Sequence, residues 1–327
     1  MQGGPEKPTD LEIAFGPVPS RRLGRSLGID NIPPKTCTYA CTYCQLGPTI
    51  HRQIERAAFY PPEAVIEAVR AKVDAARRAG EAIDYLTFVP AGETTLDVNL
   101  GEAIRGLRQL GIPIAVITNA SLVWQERVRA GLAEADWVSL KVDAVDPTIW
   151  RALNRPHRDL RLEPILESAR LFARAFQGTL ATETMLVEGA NDDPAHLDAV
   201  ARFVAELAPA TAYLSIPTRP PARPSVRPPD EHSVNRAYQI FRDHLPSVEC
   251  LLGYEGSAFS STGDPETDLL SITAVHPMRE DAVMQLLERA HADVSVLRRL
   301  VDDGRLVATR YRDHAYYVRA VRRAVAP

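Results

Sequence analysis

Three cysteines lie close together near the N-terminus of the 327-residue chain, within the octapeptide C-T-Y-A-C-T-Y-C. Cys37, Cys41 and Cys44 therefore have the spacing C-x3-C-x2-C. Three thiolates on one short loop can bind three irons of a [4Fe–4S] cube and leave its fourth iron without a protein ligand. Such an open iron can bind the amine and carboxylate of a small molecule. We therefore predict a [4Fe–4S] cluster on this loop.

Structural zinc is the main alternative for these three cysteines. Zinc sites usually have four ligands, often arranged as two separated pairs. Here the nearest histidine is His51, and the only other thiol, Cys250, has no partner at such a spacing. The pattern therefore favours an iron–sulfur cluster over zinc. Four cysteines in a chain of this size also do not form a disulfide framework.

A second candidate site is the tripeptide Ala91-Gly92-Glu93, which directly follows a β-rich run. Glycine allows a close backbone approach, and the Glu93 carboxylate can accept hydrogen bonds from an ammonium group. A Gly-Glu dipeptide after a strand is a weak signal by itself. Combined with the cysteine loop, it predicts a binding site for an amine-bearing small molecule beside the cluster.

A lysine and an aspartate lie at the end of another β-rich run, Ser139-Leu140-Lys141-Val142-Asp143, where strand alternation places both on one face. Lysine is rare in this chain, with four lysines against 34 arginines. A lysine inside a barrel could bind a carboxylate or, with a lowered pKa, form a Schiff base. The alternative is an ion pair with Asp143 or Glu183. We place Lys141 among the catalytic candidates.

Polar residues near other strand ends complete the candidates. Asn119 could bind a ligand or cap the turn that follows it. Thr184 lies in a mostly apolar run and is expected to line the barrel. Asn154, Arg155 and His157 form a polar cluster that could face a phosphate or a carboxylate, or form a solvated loop. We add these three to the catalytic candidates.

The elements that must position these residues are parallel βα units, because short β-rich runs alternate with amphipathic helical stretches. Parallel strands need right-handed helical crossovers, so about six units should form an α/β fold with an open or partial barrel. Reactive residues are then expected on loops at the carboxyl ends of the strands. The predicted strands are Ser26–Asp30, Tyr85–Val89, Ile114–Thr118, Trp137–Val142, Leu180–Val187 and Ala212–Ile216.

Two later segments break this alternation. Residues 216–229 contain six prolines interleaved with three arginines, which predicts either an exposed connector or a stiff cover over the barrel mouth. From about Asp264 the pattern is that of a winged helix, with a generic cap or dimerisation module as the alternative. Ten arginines, no lysine and ten acidic residues make this segment nearly neutral, unlike most DNA-reading modules. Its predicted helices are Asp268–Ile272, Arg279–Arg289 and Ser295–Asp303, and its predicted strands are Leu306–Thr309 and Ala315–Val318.

Composition narrows the class of protein. The net charge of −4 argues against binding to nucleic acid mainly through overall charge. No run of about 18 apolar residues is present, so we expect no membrane span. The first ten residues carry Pro, Glu, Lys and Asp where a secretion signal needs an apolar core, so a cytoplasmic location is expected.

The cysteine spacing, with Tyr43 before the last cysteine, and the tripeptide at 91–93 together resemble the radical S-adenosylmethionine (SAM) superfamily. In that superfamily a Gly-Gly-Glu element receives the SAM amino group, and here Ala91 takes the place of its first glycine. Segments 16–30, 154–157, 217–221 and 253–256 further resemble a UPF0026-like branch that is grouped with the wyosine-base tRNA synthases. This likeness covers nearly the whole chain.

The resemblance implies a partial (β/α)6 radical SAM barrel over residues 23–258, after an extension of residues 1–22, and a small winged-helix-like domain over residues 264–327. It also implies a [4Fe–4S] cluster and SAM as cofactors. Reductive cleavage of SAM would give a 5′-deoxyadenosyl radical that removes a hydrogen atom from the substrate. The cofactor-binding candidates are Tyr43, Ala91, Gly92, Glu93, Asn119, Asp143 (as acceptor for ribose hydroxyls) and Thr184.

The same resemblance predicts an enzyme that acts on an RNA base, particularly of tRNA, with flavodoxin or ferredoxin as reducing partner. A small metabolite or a peptide is the alternative substrate. A further alternative is a cluster-containing winged-helix redox sensor without catalysis. The wyosine-base synthases hold a second cluster on three more cysteines, whereas this chain has only Cys250 to spare. Condensation with pyruvate is therefore not expected.

Overall fold

The structure is a computed structural model that describes residues 13–253, 264–275 and 277–320. Its strands are β1 (Ala14–Ser20), β2 (Gly24–Ile29), β3 (Thr36–Cys37), β4 (His51–Arg52), β5 (Tyr85–Phe88), β6 (Ile114–Thr118), β7 (Trp137–Lys141), β8 (Thr179–Met185), β9 (Thr211–Ser215), β10 (Val248–Leu251), β11 (Met278–Arg279), β12 (Leu306–Tyr311) and β13 (His314–Arg319). Its helices are α1 (Pro62–Arg78), α2 (Leu100–Leu107), α3 (Glu126–Leu132), α4 (Pro147–Asn154), α5 (Leu162–Ala175), α6 (Pro194–Leu207), α7 (Glu231–His244), α8 (Pro265–Val275), α9 (Glu280–Arg289) and α10 (Ser295–Asp302). Within these ranges we find no helix that combines the length and the apolar character of a membrane-spanning segment.

Eight strands form one curled sheet in the order β1-β2-β5-β6-β7-β8-β9-β10. The seven strands from β2 to β10 in this order pair in parallel, and β1 pairs antiparallel with β2. The α/β fold with a partial barrel is therefore confirmed, and the six predicted strands correspond to neighbours β2, β5, β6, β7, β8 and β9. Because all seven parallel strands point the same way, their carboxyl ends meet at one edge of the sheet.

Helices between these strands pack their apolar stripes against the sheet. In α1, Val65, Val69 and Val73 are buried at helical spacing, and the helix has proline at its first turn. In α6, the Asp193 side chain accepts hydrogen bonds from the Ala195 and His196 amides and so caps the helix start. Burial of each large apolar side chain contributes about 1.5–3 kcal/mol, so these stripes fix the helices against the strands.

The C-terminal module contains α8, α9 and α10 and a three-stranded sheet in the order β11-β13-β12. Its three helices and its hairpin lie close to the predicted positions, although α8 and both hairpin strands are longer. Phe15 and Val18 of β1 share a buried apolar cluster with Leu269 of α8. The module therefore packs on the antiparallel edge of the large sheet. Its description as a winged helix, and the domain limits, stay predictions.

Some predicted features lie outside the described residues. These are residues 1–12 of the extension, Tyr254, Glu255 and Gly256 of the segment 253–256, and the last residues of the predicted barrel domain, which was expected to end at residue 258.

Candidate active site at the carboxyl edge of the sheet

The three cysteines lie on one loop that follows β2 at the carboxyl edge, and all three are free, partly buried thiols. Amide groups point at two of the sulfurs. The Tyr39 backbone amide lies 3.5 Å from Cys37 Sγ, and Asn119 Nδ2 lies 3.6 Å from the same sulfur. Asn154 Nδ2 lies 3.6 Å from Cys41 Sγ. Such N–H···S contacts stabilise negative charge on sulfur, as a thiolate ligand requires.

Without a metal, the surroundings of Cys37 and Cys41 favour the protonated thiol. Burial and the neighbouring Cys41 raise the pKa of Cys37 well above its ordinary value. Burial and the nearby Asp143 raise the pKa of Cys41 to about 12. A bound cation reverses this preference and deprotonates a coordinating thiol. Within the described ranges, no three His, Cys, Asp or Glu side chains converge on a point that could hold a single metal ion. Three thiolates suit a polynuclear cluster, in which each thiolate would bind its own iron, because structural zinc usually takes four protein ligands.

The tripeptide at 91–93 is hydrogen-bonded directly to the start of the cysteine loop. The Lys35 amide donates to the Ala91 carbonyl at 2.6 Å, and the Glu93 amide donates to the Thr36 carbonyl at 3.1 Å. A Cβ placed on Gly92 would lie only 1.9 Å from the Thr36 carbonyl oxygen. The close backbone approach predicted at Gly92 is therefore made by the cysteine loop itself, and glycine is required there for the two segments to join.

The Glu93 carboxylate is buried, with the residue 1% exposed, and four protein donors bind it. Its Oε1 accepts hydrogen bonds from the Thr95 amide at 3.0 Å, from Thr95 Oγ1 at 2.6 Å and from Thr118 Oγ1 at 2.6 Å. Its Oε2 accepts one bond, from the Asn119 amide at 2.8 Å. Burial raises the pKa of Glu93 above its ordinary value. Because an ionised carboxylate oxygen has two lone pairs, Oε2 keeps the capacity for one further donor.

Asn119 connects the end of β6 to the cysteine loop. Its Oδ1 accepts a hydrogen bond from the Ser121 amide at 2.9 Å, so the predicted capping of the next turn is present. Its Nδ2 donates to Thr38 Oγ1 at 2.8 Å, one residue after Cys37. The side chain thus supports the loop, and its contact with SAM stays a prediction.

Asp143 connects the cysteine loop with β8 and α4. Its carboxylate accepts hydrogen bonds from Asn154 Nδ2 at 2.7 Å, from the Met185 amide at 2.8 Å and from the Tyr43 hydroxyl. These partners use much of its accepting capacity and orient the loop around Cys44. Thr184 is buried and donates its hydroxyl to the Val142 carbonyl at 2.8 Å. The assignment of Asp143 to the SAM ribose and of Thr184 to cofactor binding remain predictions.

Lys141 forms ion pairs with both predicted partners. Its Nζ lies 3.0 Å from Glu183 Oε1 and 3.6 Å from Asp143 Oδ1, and Glu183 also pairs with Arg22. Burial lowers the pKa of Lys141, but the two carboxylates together raise it above its ordinary value. Since a charged ammonium group is not a nucleophile, this arrangement favours the ion-pair interpretation over a Schiff base.

The structure separates the four catalytic candidates into two places. Lys141 and Asn154 line a small, partly open cavity of about 20 Å³, together with Asn119 and Asp143. Arg155 ends α4 in the left-handed conformation (φ 47°), which turns the following residues away from that cavity. Arg155 and His157 therefore line a separate surface depression of about 280 Å³, which also contains Arg52, Arg151 and Arg158.

The proline-rich segment covers the cysteine loop. Gln45 Oε1 accepts hydrogen bonds from the Thr218 amide at 3.0 Å and the Arg219 amide at 2.7 Å. On the other side, the hydroxyls of Tyr311 and Tyr316 in the C-terminal hairpin donate to the carbonyls of Pro217 and Thr218, at 3.0 and 3.1 Å. These contacts support the cover rather than the exposed connector. Gln45 was not among the predicted residues, although its position directly after Cys44 was a usable signal.

Two further charged residues, Asp30 and Lys35, lie at this site and were not predicted from the sequence. Asp30 Oδ1 accepts a hydrogen bond from the Ala91 amide at 3.2 Å, and burial raises the pKa of Asp30 to about 7. Lys35 is buried beside Asp30 and Cys44, and burial lowers its pKa. The rarity of lysine was a signal for Lys35. No sequence signal pointed to Asp30 as a site residue, because it was predicted simply as the last residue of the strand Ser26–Asp30.

Comparison with known proteins identifies the family. Residues 31–201 match the family model of the Radical SAM superfamily. A UPF0026 protein of Methanocaldococcus jannaschii is 42% identical over 314 residues, which cover 95% of this chain and 97% of that protein. A UPF0026 protein of Helicobacter pylori is 32% identical and covers 77% of this chain and 76% of that protein.

Two solved structures have a similar fold. TYW1 with a lysine-pyruvate adduct bound gives a TM-score of 0.52 at 17% identity, over 68% of this chain and 74% of that chain. Streptococcus suis SuiB bound to S-adenosylmethionine gives a TM-score of 0.52 at 13% identity, over 72% of this chain and 53% of that chain. At these identities the likeness establishes the fold alone.

Proposed function

Because this chain belongs to the radical SAM superfamily, and within it to the UPF0026 family, we propose that it abstracts a hydrogen atom from an RNA base, with tRNA as the first RNA to test. The chain is an iron–sulfur enzyme whose cofactors are a [4Fe–4S] cluster and SAM. One observation carries the proposed site. The Glu93 amide donates to the Thr36 carbonyl, which holds the cysteine loop against Ala91-Gly92-Glu93.

In this proposal the three cysteines, Glu93 and the proline-rich segment have separate roles. Cys37, Cys41 and Cys44 would hold the cluster, and the free lone pair of Glu93 Oε2 would receive the SAM amino group. The bound cofactors supply the one-electron cleavage of SAM that yields a 5′-deoxyadenosyl radical. The proline-rich cover, fixed by Gln45, excludes water above the loop.

The resemblance to the wyosine-base tRNA synthases and the similar fold of TYW1 support an RNA base as the substrate. The charged interior around Lys141, Glu183 and Arg22 suits a polar base edge that offers donors and acceptors. Condensation with pyruvate is not part of this proposal, because Lys141 is held as an ion pair and the described cysteines leave only Cys250 for a second cluster.

A small metabolite or a peptide is the second candidate substrate. The observation that favours it is the proline-rich cover. Gln45 on one side and the hydroxyls of Tyr311 and Tyr316 on the other side hold it in place by hydrogen bonds. Such a cover narrows the entrance for a folded RNA. A cluster-containing sensor would share the cofactor site but would not cleave SAM.

Anaerobic turnover tests the proposed function. Reconstituted protein with dithionite should convert SAM to 5′-deoxyadenosine and methionine, and total tRNA should increase the rate of deoxyadenosine release by tenfold or more. Transfer of deuterium from labelled tRNA into deoxyadenosine would identify the substrate. Stimulation by a metabolite or peptide fraction and not by tRNA would replace the RNA by the second candidate. No cleavage of SAM under any of these conditions would indicate a sensor.

Replacing Glu93 by glutamine should weaken SAM binding about 10- to 100-fold while leaving the iron content unchanged, because a hydrogen bond to a charged group contributes about 1.5–3 kcal/mol. Glutamine is the milder replacement, because its one amide oxygen can still accept from the Thr95 amide, whereas alanine would leave both the Thr95 and the Asn119 amides without an acceptor. SAM affinity is measured by anaerobic equilibrium dialysis.

The matched control is Thr95→Val, which removes one donor to Glu93 but keeps the charge. This variant should bind SAM within about threefold of the wild-type affinity, an energy difference below 1 kcal/mol. Wild-type SAM affinity in Glu93→Gln would exclude the carboxylate from the SAM site.

A further inference from the structure

Four arginines surround the outer side of the cysteine loop, and each lies on a segment that is hydrogen-bonded to that loop. We call Arg52, Arg151, Arg155 and Arg223 the arginine face. Arg52 on β4 is the register partner of Cys37 on β3. The Arg155 carbonyl accepts a hydrogen bond from the Ala40 amide at 3.1 Å, and the Arg223 amide donates to the Thr42 carbonyl at 3.0 Å.

Arg151 belongs to this face through α4. The carbonyl of Leu153, two residues further on the same helix, accepts a hydrogen bond from the Thr42 amide at 2.9 Å. The four arginines thus come from three segments that meet at residues 37–42: β4, α4 with its end residue Arg155, and the proline-rich segment. All three segments contact the loop that carries the candidate cluster ligands.

The arginine face is concave and positively charged. It lines two neighbouring depressions of about 280 and 690 Å³, and Arg151 and Arg155 contribute to both. Among the described residues, none of the four arginines forms an ion pair. The acidic residues nearby are few. Glu188 lines the larger depression, and Asp159 at the edge of the smaller one pairs with His157 and Arg158.

We propose that the arginine face docks a small acidic one-electron carrier protein, of the flavodoxin or ferredoxin class, that reduces the cluster. This inference rests on the proposed function. In the step it serves, one electron passes from the reduced carrier, which is oxidised, to the oxidised cluster, which is reduced. No bond forms or breaks and no proton is transferred. Complementary charge fixes the orientation of the carrier and speeds the encounter.

A carrier fits this face better than an RNA backbone for two reasons. First, neither depression contains a phenylalanine, tyrosine or tryptophan side chain on which an unpaired base could stack, and the imidazole of His157 in the smaller one is paired with Asp159 at 3.5 Å. Second, neither depression contains Lys141, Asp143 or Asn119, which line the small cavity at the strand ends. A partner on the arginine face would therefore contact the cysteine loop without covering these strand-end residues.

The experiment compares the double variant Arg151→Glu/Arg223→Glu with the double variant Arg70→Glu/Arg78→Glu. Both change the net charge equally and replace exposed arginines, but α1 contributes no residue to either depression. Binding of oxidised flavodoxin to the reconstituted full-length protein is measured by calorimetry at low salt and at high salt. We expect the arginine-face variant to bind about tenfold or more weakly at low salt, and this difference to shrink at high salt. The control variant should bind like the wild type.

Two further measurements separate this inference from the proposed function. Dithionite-driven cleavage of SAM should be unchanged in the arginine-face variant, whereas flavodoxin-driven cleavage should fall in parallel with carrier binding. If wild-type protein does not cleave SAM with dithionite, the proposed function fails whatever the binding result. Wild-type flavodoxin affinity in the arginine-face variant would overturn the docking surface. Loss of tRNA binding with unchanged carrier binding would also overturn it and would assign the face to RNA phosphates.

Discussion

Replacement of Cys41 by alanine should yield a protein that binds no cluster after anaerobic reconstitution. Iron should fall from about four atoms per chain to less than about one, and the brown colour should be lost. Cys41 is the middle one of the three predicted ligands, and its sulfur lies 3.6 Å from Asn154 Nδ2. Loss of one of three thiolates leaves a second iron without a protein ligand. Iron analysis and the visible absorption spectrum measure the effect.

The control is Cys250→Ala on β10, at the far edge of the sheet from β1. Its thiol is half-buried and contributes only to packing, so this variant should keep about four irons. Full iron content in Cys41→Ala would contradict the assignment of Cys41 as a ligand. Wild-type protein that takes up zinc and no iron under anoxic conditions would contradict the cluster itself.

The central strands could be predicted from the sequence because most of their residues are buried and because amphipathic helices alternate with them along the chain. Within the eight-stranded sheet, the two strands that were not predicted, β1 and β10, are its edges, and the two-residue strands β3, β4 and β11 were not predicted either. β1 contains Pro17 and Pro19, and proline in a run argues against a strand. An edge strand tolerates proline because one side of it needs no ladder bonds. β10 has only four residues and includes Glu249, so it lacks a clear apolar pattern.

The proximity of the candidate site residues was also predictable, because parallel strands bring their carboxyl ends to one edge. The sequence could not show which hydrogen-bond partners each of these side chains has in the fold. Asp143 binds Tyr43, Asn154 and the Met185 amide, three groups that lie 100, 11 and 42 residues away along the chain. Such long-range choices depend on packing, and no local pattern encodes them.

The division between Asn154 and Arg155 illustrates the same limit. The two residues are adjacent and were grouped as one polar cluster, but Asn154 is buried beside Asp143 whereas Arg155 lines the surface depression. The cause is the left-handed conformation of Arg155 at the end of α4. The residue that ends a helix in the left-handed conformation is usually glycine. Because this position carries an arginine, the sequence did not indicate where α4 ends.

Gly92→Ala should separate the two halves of the candidate site. The added methyl group would lie 1.9 Å from the Thr36 carbonyl oxygen and 2.8 Å from Ile32 Cδ1. A backbone carbonyl cannot rotate away as a side chain can, so the cysteine loop itself must move. Overpacking of this kind typically costs about 1–3 kcal/mol. We expect Tm to fall by roughly 5 °C and reconstituted iron to fall to less than about half of the wild-type content.

Two control variants, Gly253→Ala and Ala91→Gly, test whether the effect of Gly92→Ala comes from its contact with Thr36. Gly253→Ala adds a methyl group that has no atom of the described residues within 4 Å, and it should change neither Tm nor iron content. Ala91→Gly removes a methyl group next to Gly92. It should leave the loop in place, because the backbone carbonyl of residue 91 still accepts a hydrogen bond from the Lys35 amide.

If Gly92→Ala reconstitutes with full iron and an unchanged Tm, the cysteine loop does not depend on close contact with the Gly-Glu segment. The hydrogen bond from the Glu93 amide to the Thr36 carbonyl would then not be what holds the two segments together. Because that bond carries the proposed site, this variant tests its geometry independently of any substrate.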